Sequence, residues 1–270
     1  MTTGPADKTD GAGIAELRRL AVDFVAAYPS RQGEKPIWRR PLLATALVDR
    51  RFERLREMAA PDHLLPGDLL PGARSVVVFF VPFTASLAEE NHPGPFPCRN
   101  WGLAYQATNR LIEKLCGAIR DHLEKQGHRC ALTPATHNFD PRRLMARWSH
   151  KHLAYLCGLG RFGINAQFIT PAGCAGRLGS LATTAPLGDH PLVGEAELCL
   201  HKRGHDCLQC AARCPVQAVT LEGIDRRRCW KRLIFNLEKG PTLSGLESST
   251  HVCGKCQVNL PCSLAIPQPA

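Results

Sequence analysis

The spacing of the cysteines in the last third of the chain limits what this protein can be more than any other feature. Of 13 cysteines in 270 residues, eight fall between positions 199 and 262. The first four follow the pattern C-x7-C-x2-C-x3-C-P, and each half of the segment has an early cysteine, a C-x2-C pair and a late cysteine. Such a repeat indicates disulfides, zinc sites or iron–sulfur clusters. The eight are Cys199, Cys207, Cys210, Cys214, Cys229, Cys253, Cys256 and Cys262.

The rest of the sequence argues against disulfides. Residues 1–13 are polar, with no apolar signal segment, and the longest apolar run, 76–83, is far too short to cross a bilayer. We therefore expect a disordered N-terminus over 1–13 and a cytoplasmic protein with no membrane partner. That compartment keeps thiols reduced. The five other cysteines are expected to be small buried hydrophobic residues: Cys98, Cys116, Cys130, Cys157 and Cys174.

Iron–sulfur clusters account for all eight thiols. A two-cluster ferredoxin run reads C-x2-C-x2-C-x3-C-P, and its fourth cysteine ligates the other cluster. Here Cys207 to Pro215 match the end of that run, and the gap between the first two cysteines holds seven residues instead of two. The crossed rule assigns one [4Fe–4S] cluster to Cys199, Cys207, Cys210 and Cys262, and the other to Cys214, Cys229, Cys253 and Cys256.

Zinc is the alternative metal. Two C-x2-C pairs can form a zinc ribbon, but their usual interval is about 15–20 residues. Here 42 residues separate Cys210 from Cys253. A zinc protein that binds nucleic acid stays open as a hypothesis, because the formal net charge of +10 suits an anionic partner. The basic segment "RRRCWKR" over 226–232 could equally offset anionic clusters, dock an acidic electron donor or form a solvated face.

The chain ahead of these cysteines is patterned as mixed α and β structure. Apolar residues at helical spacing predict helices over 14–28, 42–58, 101–126 and 141–157. Apolar runs predict strands over 73–83, 130–137, 166–170 and 179–184. We expect an α+β fold in which residues 14–190 form one domain and residues 191–270 form a small cysteine-rich domain.

A glycine-rich loop, "GLGRFG" at 158–163, matches G-x-G-x-x-G, but its context is wrong for a dinucleotide site. A helix-like segment precedes it, and the nearest following acidic residue is Asp189. Glycines there could serve tight turns or let the backbone approach a flat macrocycle closely.

The stretch 148–184 together with the cysteines after it resembles the epoxyqueuosine reductase family and the related catalytic domains of corrinoid reductive dehalogenases. The resemblance covers roughly residues 70–262 and implies a nitroreductase-like α/β domain that holds cobalamin, base-off and without a protein imidazole ligand. It implies a ferredoxin-like domain with two [4Fe–4S] clusters at the edge of that cofactor. The matching residues are Gly158, Leu159, Gly160, Phe162, Gly163, Asn165, Ile169, Gly173, Leu178 and Gly179.

The resemblance also implies roles for particular residues. In the queuosine enzymes an aspartate ahead of the loop is thought to donate a proton to the substrate; Asp140 is the nearest candidate here, and Tyr105 is a second. Residues 161 and 164 are Arg and Ile, where those enzymes usually carry Trp and Lys. The expected cobalamin contacts are His150, His152, Gly158, Leu159, Gly160, Arg161, Phe162, Gly163, Asn165, Gly173 and Gly179.

Taken together, these expectations predict a cobalamin-dependent oxidoreductase. Electrons would enter from a low-potential donor of the ferredoxin or flavodoxin type, pass through two [4Fe–4S] clusters to cobalt and then reach a small-molecule or modified-nucleoside substrate. The chain stops at Ala270, without the helical repeats that help the queuosine enzymes hold tRNA, so tRNA is a less expected partner. The alternatives are an iron–sulfur electron carrier that reduces a corrinoid or other redox partner, and the zinc protein.

Overall fold

The computed structural model describes residues 10–28, 36–136 and 139–269, and the side chains of 10–12 are excluded. Most of the segment predicted to be disordered, 1–13, lies outside these ranges. The first helix begins at Asp10, four residues before the predicted start. The helices are α1 (Asp10–Ala27), α2 (Leu55–Met58), α3 (Pro66–Leu69), α4 (Ala85–Glu90), α5 (Arg99–Glu124), α6 (His150–Leu156), α7 (Gln209–Ala212) and α8 (Arg226–Glu238).

The strands form one four-stranded sheet and three short hairpins. They are β1 (Leu42–Leu47), β2 (Ser75–Pro82), β3 (Cys130–Leu132), β4 (Phe139–Asp140), β5 (Met145–Ala146), β6 (Arg161–Phe162), β7 (Phe168–Ile169), β8 (Gly176–Thr183), β9 (Val219–Thr220) and β10 (Gly223–Ile224). The main sheet has the order β1-β2-β8-β3 and is antiparallel throughout. The hairpins pair β4 with β5, β6 with β7 and β9 with β10.

Strand β2 is the centre of the molecule, and the strand predicted over 73–83 is confirmed. All eight of its residues are buried. Because successive side chains of a strand point to opposite faces, Val77 and Phe79 enter a core with α1 and α5, whereas Val78 and Phe80 enter a second core with α6. Helices therefore cover both faces of the sheet. This explains why β2 is a continuous apolar run and does not alternate between apolar and polar residues.

Helix α5 confirms the helix predicted over 101–126. Its apolar stripe is buried against the sheet, with Leu111, Leu115 and Ile119 fully enclosed. At its end, Gly127 adopts φ of 84° and its N–H donates to the carbonyl of Glu124 at 2.9 Å. This left-handed residue closes the helix as expected of a C-terminal glycine.

Two predicted helices are wrong in part. Residues 42–47 form strand β1, and only a 3₁₀ turn and the short α2 follow within 42–58. An apolar run this short fits a helix or a strand, and pairing with β2 decides it. The helix predicted over 141–157 is confined to α6, since the residues before it form the β4–β5 hairpin.

The strands predicted nearby are shorter than expected. The strand predicted over 130–137 is the three-residue β3, and position 137 lies outside the described residues. The strand predicted over 166–170 is the two-residue β7, while that over 179–184 begins earlier, as part of β8. No helix within the described ranges combines the length and apolar character needed to cross a membrane.

The cysteine-rich segment, 191–269, is built mainly of turns around α8 and the β9–β10 hairpin. It is tied to the first part of the chain by backbone hydrogen bonds: Cys174 N–H donates to the carbonyl of Cys262 at 2.9 Å, and Ala175 N–H donates to that of Ser263 at 2.9 Å. The turn before β8 thus positions the last cysteine of the chain.

Candidate cofactor site

Four of the eight clustered cysteines line one small cavity. We call Cys199, Cys207, Cys210 and Cys262 the first quartet and their space the first cavity. Burial, together with the other three thiolates of the quartet, raises the pKa of the Cys210 thiol to about 12. Thiols that lie this near one another repel when ionised, so a cation is needed to hold them as thiolates.

The other four cysteines line a second cavity of about 180 Å³. These are the second quartet: Cys214, Cys229, Cys253 and Cys256. Burial raises the pKa of Cys229 to about 11, the thiolates of Cys253 and Cys214 add to that effect, and Lys151 opposes it. Cys214 follows α7 directly, beside Cys210 in sequence, yet its thiol belongs to the second set.

Each cavity is lined by three cysteines from one half of the segment and one cysteine from the other half. Cys214 lies with the later cysteines, and Cys262 lies with the earlier ones. All 13 cysteines are free thiols. In the described parts of the chain, no three His, Cys, Asp or Glu side chains converge closely enough to hold a single metal ion. Metal ligation by the quartets therefore stays a prediction.

A wide cleft of about 890 Å³ lies against the second cavity. Its walls come from the β4–β5 hairpin, α6, the glycine loop, the β9–β10 turn and α8, and they carry the rings of Phe139, Phe162 and Trp230. Cys229 and Gln167 line both the cleft and the second cavity. Among the described residues, no cysteine of the first quartet lines the cleft. The second quartet is thus the one at the cleft.

The two predicted proton donors lie near the cleft and already hold hydrogen bonds. The Asp140 carboxylate, at the start of the hairpin turn, accepts from the N–H groups of Arg142 at 2.7 Å and Arg143 at 3.3 Å. The Tyr105 hydroxyl lies 2.7 Å from Thr136 Oγ1, at the cleft wall. Tyr105 itself lines the second cavity.

The two predicted histidines occupy different environments. His150 Nε2 lies 3.1 Å from the carbonyl of Pro134, so it is the ring nitrogen that donates, and Nδ1 accepts from Ser180 Oγ at 2.7 Å. His152 lines the cleft and packs on Phe162, with ring centroids 5.1 Å apart. Burial lowers the pKa of both histidines to about 4, so both are neutral at pH 7.

Several glycines of the predicted cobalamin loop pack against protein. A Cβ on Gly160 would collide with the carbonyl of Ile169, and one on Gly173 would collide with the carbonyl of Ser263. Gly173 also has φ of 81°, which L side chains rarely adopt. Gly158 lies against Pro191, and Gly179 lies against Phe79. These four positions therefore require glycine for packing within the chain itself.

The other residues predicted to contact cobalamin lie in several different environments. Leu159 is fully buried in the second core. The Arg161 side chain is 7% exposed, donates to the carbonyls of Gly160, at 2.9 Å, and Gly194, and lines a cavity separate from the cleft. Asn165 lines the first cavity, whereas Phe162 lines the cleft and Gly163 lines both.

Two lysines near the second quartet were not singled out from the sequence. Lys151 lines the cleft, and its Nζ donates to the carbonyl of Ala166 at 2.9 Å. Burial lowers the pKa of Lys151, and the thiolates of Cys256 and Cys229 oppose that shift. Lys255 lies between Cys253 and Cys256 and is 1% exposed. Its position within a C-x2-C pair was the only sequence signal available.

No protein-family model and no curated protein matches the chain. Among solved structures, a selenomethionine-labelled epoxyqueuosine reductase is similar over 97% of this chain and 70% of its own, at 15% identity and a TM-score of 0.59. The epoxyqueuosine reductase from Bacillus subtilis is similar over 97% of this chain and 67% of its own, at 16% identity and a TM-score of 0.59.

Two further solved structures were captured with ligands. An epoxyqueuosine reductase with an epoxyqueuosine-modified tRNA-Tyr stem loop is similar over 95% of this chain and 65% of its own, at 17% identity and a TM-score of 0.59. A catabolic reductive dehalogenase in complex with 3-bromo-4-hydroxybenzoic acid is similar over 84% of this chain and 30% of its own, at 12% identity and a TM-score of 0.56.

At these identities the similarity establishes the fold. The chain has the mixed α/β fold of epoxyqueuosine reductases and reductive dehalogenases, the two groups that its glycine loop and cysteines resemble. It spans about two thirds of the length of the former and under a third of that of the latter.

Proposed function

We propose that this protein is a reductase of the epoxyqueuosine reductase type that uses two [4Fe–4S] clusters and cobalamin. The observation that carries the proposal is the position of Cys229: this cysteine of the second quartet lines the large cleft itself, whereas the first cavity shares only Gly163 with the cleft among the described residues. This arrangement suits two electron-carrying groups in series, with the second beside a ligand. The fold shared with two groups of reductases supports the same conclusion.

The donor sets fit iron–sulfur clusters. Each set consists of four thiols, the ligands that such clusters take in proteins. The second cavity, of about 180 Å³, has room for a group of several atoms, whereas a structural zinc ion needs four sulfurs within about 2.3 Å of one point. Burial, and after it the neighbouring thiolates, raise the pKa values of Cys210 and Cys229, and irons bound there would supply the positive charge that holds these thiols ionised.

The cleft fits a large cofactor with a flat macrocycle. Its volume of about 890 Å³ is at the upper end of ligand pockets. Phe139, Phe162 and Trp230 offer ring faces and edges to a macrocycle and would exclude water from it. When bound there, cobalamin would supply the reducing chemistry at its cobalt.

The residues around the cleft would position the substrate and move its proton. We assign the proton donor to Asp140, whose hairpin forms one wall of the cleft, or to Tyr105, whose hydroxyl reaches that wall through Thr136. Arg226 and Lys202 at the rim carry positive charge that would hold an anionic substrate. A modified nucleoside, as in the neighbour bound to a tRNA stem loop, is the first substrate class to test.

The test is metal analysis with visible and EPR spectra of protein purified without oxygen, with and without hydroxocobalamin. We expect about eight irons per chain and a cob(II)alamin signal that survives gel filtration. Eight irons without retained cobalamin would indicate the electron carrier. Zinc without iron would overturn both proposals and favour a nucleic-acid-binding zinc protein, whose RNA affinity should fall steeply with salt.

A further inference from the structure

A lysine is buried beside the second quartet without a carboxylate partner. Lys255 is 1% exposed, and its Nζ donates to the carbonyls of Asn91 at 2.6 Å and Pro93 at 2.9 Å. Among the ion pairs between described residues, none involves Lys255. Burial of an ammonium group is costly unless an anion lies nearby. The neighbouring cysteines, Cys253 and Cys256, indicate where that anion belongs.

Other cations on the same side are held in the same way. Arg232 Nη2 donates to the carbonyl of Pro95 at 2.6 Å, and Arg213 Nη2 donates to that of His92. Lys151 Nζ donates to the carbonyl of Ala166. Arg177, Arg232 and Lys255 line the second cavity itself. Several positive charges therefore converge on the second quartet; backbone carbonyls hold Lys255, Lys151, Arg213 and Arg232, whereas the Arg177 guanidinium lies over the Tyr105 ring.

The first quartet has the opposite surroundings. Among the described residues, the lining of the first cavity contains no Lys, Arg or His; its side chains are thiols, amides and apolar groups. The nearest cations in sequence, Lys202 and Arg203, are exposed to solvent, and Lys202 pairs with Glu197 at 3.2 Å. Solvent and the ion pair both weaken their field. Among the described residues that line the two cysteine cavities, the positively charged side chains therefore lie beside the second quartet.

We propose that Lys255, supported by Lys151 and Arg232, raises the reduction potential of the cluster held by the second quartet above that of the cluster held by the first. The inference rests on the proposed function, since it requires both clusters. Reduction adds one negative charge to a cluster, and a buried cation nearby stabilises that charge in a medium of low dielectric constant.

The charge difference gives electron transfer a direction. An external low-potential donor of the ferredoxin or flavodoxin class reduces the first cluster by one electron. That electron then moves to the oxidised second cluster; the first cluster is reoxidised, the second is reduced, and no covalent bond forms or breaks. The electron is therefore more stable on the second cluster, which lies beside the cleft where the substrate would be reduced.

The test is an EPR-monitored redox titration of the full chain purified without oxygen. Serine substitutions at Cys207 and at Cys253 assign each signal to its quartet. We expect the signal altered by Cys253→Ser to have the higher potential in the native protein. Lys255→Met, which keeps the length and removes the charge, should lower that potential and leave the other unchanged, and Lys255→Arg should restore it. Lys125→Met, at the exposed end of α5, is the matched control and should shift neither.

The outcomes separate this inference from the proposed function. Two clusters of equal potential, a higher potential at the first quartet, or two potentials unaffected by Lys255→Met would overturn the inference alone. A protein with fewer than two clusters would overturn both. If Lys255→Met does not fold, Lys151→Met serves in its place; it should lower the same potential, and an unchanged value would refute the charge effect.

Discussion

The side-chain amide of Asn165 donates to the carbonyl of Cys256 at 2.6 Å. Asn165 lies two residues after the glycine loop, and Cys256 belongs to the second quartet, so this hydrogen bond joins the end of the loop region to the cysteine-rich segment. Asn165 is 2% exposed, and its Oδ1 also accepts from Gln167 N–H at 3.1 Å. The loop that resembles a cofactor loop therefore also holds a cysteine segment in place.

Replacement of Asn165 by alanine should loosen the second quartet. The buried carbonyl of Cys256 would lose its donor, which costs about 1–3 kcal/mol of stability. We expect a lower Tm and less iron in the cluster assigned to the second quartet, measured by thermal denaturation and EPR spin quantitation. Asn100→Ala is the control, because Asn100 is exposed and bonds only Glu90 among the described contacts. Equal behaviour of the two variants would contradict the role assigned to Asn165.

Cys214→Ala tests the crossed membership of the quartets. Although Cys214 is close in sequence to Cys207 and Cys210, its thiol lines the second cavity. We expect the variant to lose the cluster of Cys229, Cys253 and Cys256 and to keep the other, as read by iron content and EPR. If the variant instead lost the first cluster and kept the second, the assignment of Cys214 to the second quartet would be wrong.

Cys116→Ala is the matched control for the cysteine variants. Cys116 is buried in α5 away from both cavities, and burial raises the pKa of its thiol to about 12. A thiol in that state is inert toward metals. The variant should therefore retain about eight irons per chain.

Gly160→Ala should be strongly destabilising. A Cβ at this position would collide with the carbonyl of Ile169 within the β6–β7 hairpin. Since backbone must move to relieve the contact, we expect a loss of about 1–3 kcal/mol in unfolding free energy. Gly117→Ala in α5 is the opposite case: nothing lies within 4 Å of its Cβ, so helix propensity should add up to about 1 kcal/mol. Chemical denaturation of both variants measures the difference, and equal changes would refute the packing argument.

Stability should fall as the solution is acidified from neutral pH. Burial lowers the pKa of His150 and of His152 from 6.5 to about 4. The unfolded chain therefore binds more protons than the folded chain between pH 6.5 and about 4, and stability decreases as pH drops through that window. From about pH 7.5 upward, where both states are almost fully deprotonated, the two histidines should contribute almost no slope.

His150→Gln isolates this effect, because glutamine cannot titrate. We expect its Tm to fall less steeply than that of the native protein between about pH 7.5 and pH 5.5. The comparison uses slopes, so the loss of the hydrogen bonds to Ser180 and Pro134 does not affect it. His205→Gln, at an exposed position, should keep the native slope. An unchanged slope in His150→Gln would contradict the prediction.

Substitutions at the two candidate proton donors should distinguish them. Asp140→Asn keeps an oxygen to accept from Arg142 N–H, so the hairpin turn should persist. Tyr105→Phe loses the hydrogen bond to Thr136, at a cost of about 1 kcal/mol. The donor's variant should slow single-turnover conversion of an epoxyqueuosine-modified stem loop by about 100-fold or more, with iron and cobalamin content unchanged. If neither variant is slower, neither residue donates the proton.

Local features of this protein were readable from its sequence. The apolar period of α5 and the β-branched and aromatic run of β2 depend on neighbours a few residues apart, and both elements lie where expected. The cysteine spacing predicted two clusters with crossed fourth ligands, because the ferredoxin pattern itself encodes that crossing. In the structure Cys214 lines the second cavity and Cys262 lines the first, while ligation itself stays a prediction.

Tertiary packing determined the strand β1 and the surroundings of Lys255, because both depend on contacts between segments far apart in sequence. Leu42–Leu47 forms a strand because its backbone pairs with the edge of β2. Six residues are too few for the apolar spacing to distinguish a strand from a helix. The sequence places Lys255 between two cysteines, where a lysine is ordinarily solvated; the carbonyls of Asn91 and Pro93, 164 and 162 residues away, enclose it. Burial beside the thiols turns that lysine from a surface charge into one that acts on the second quartet.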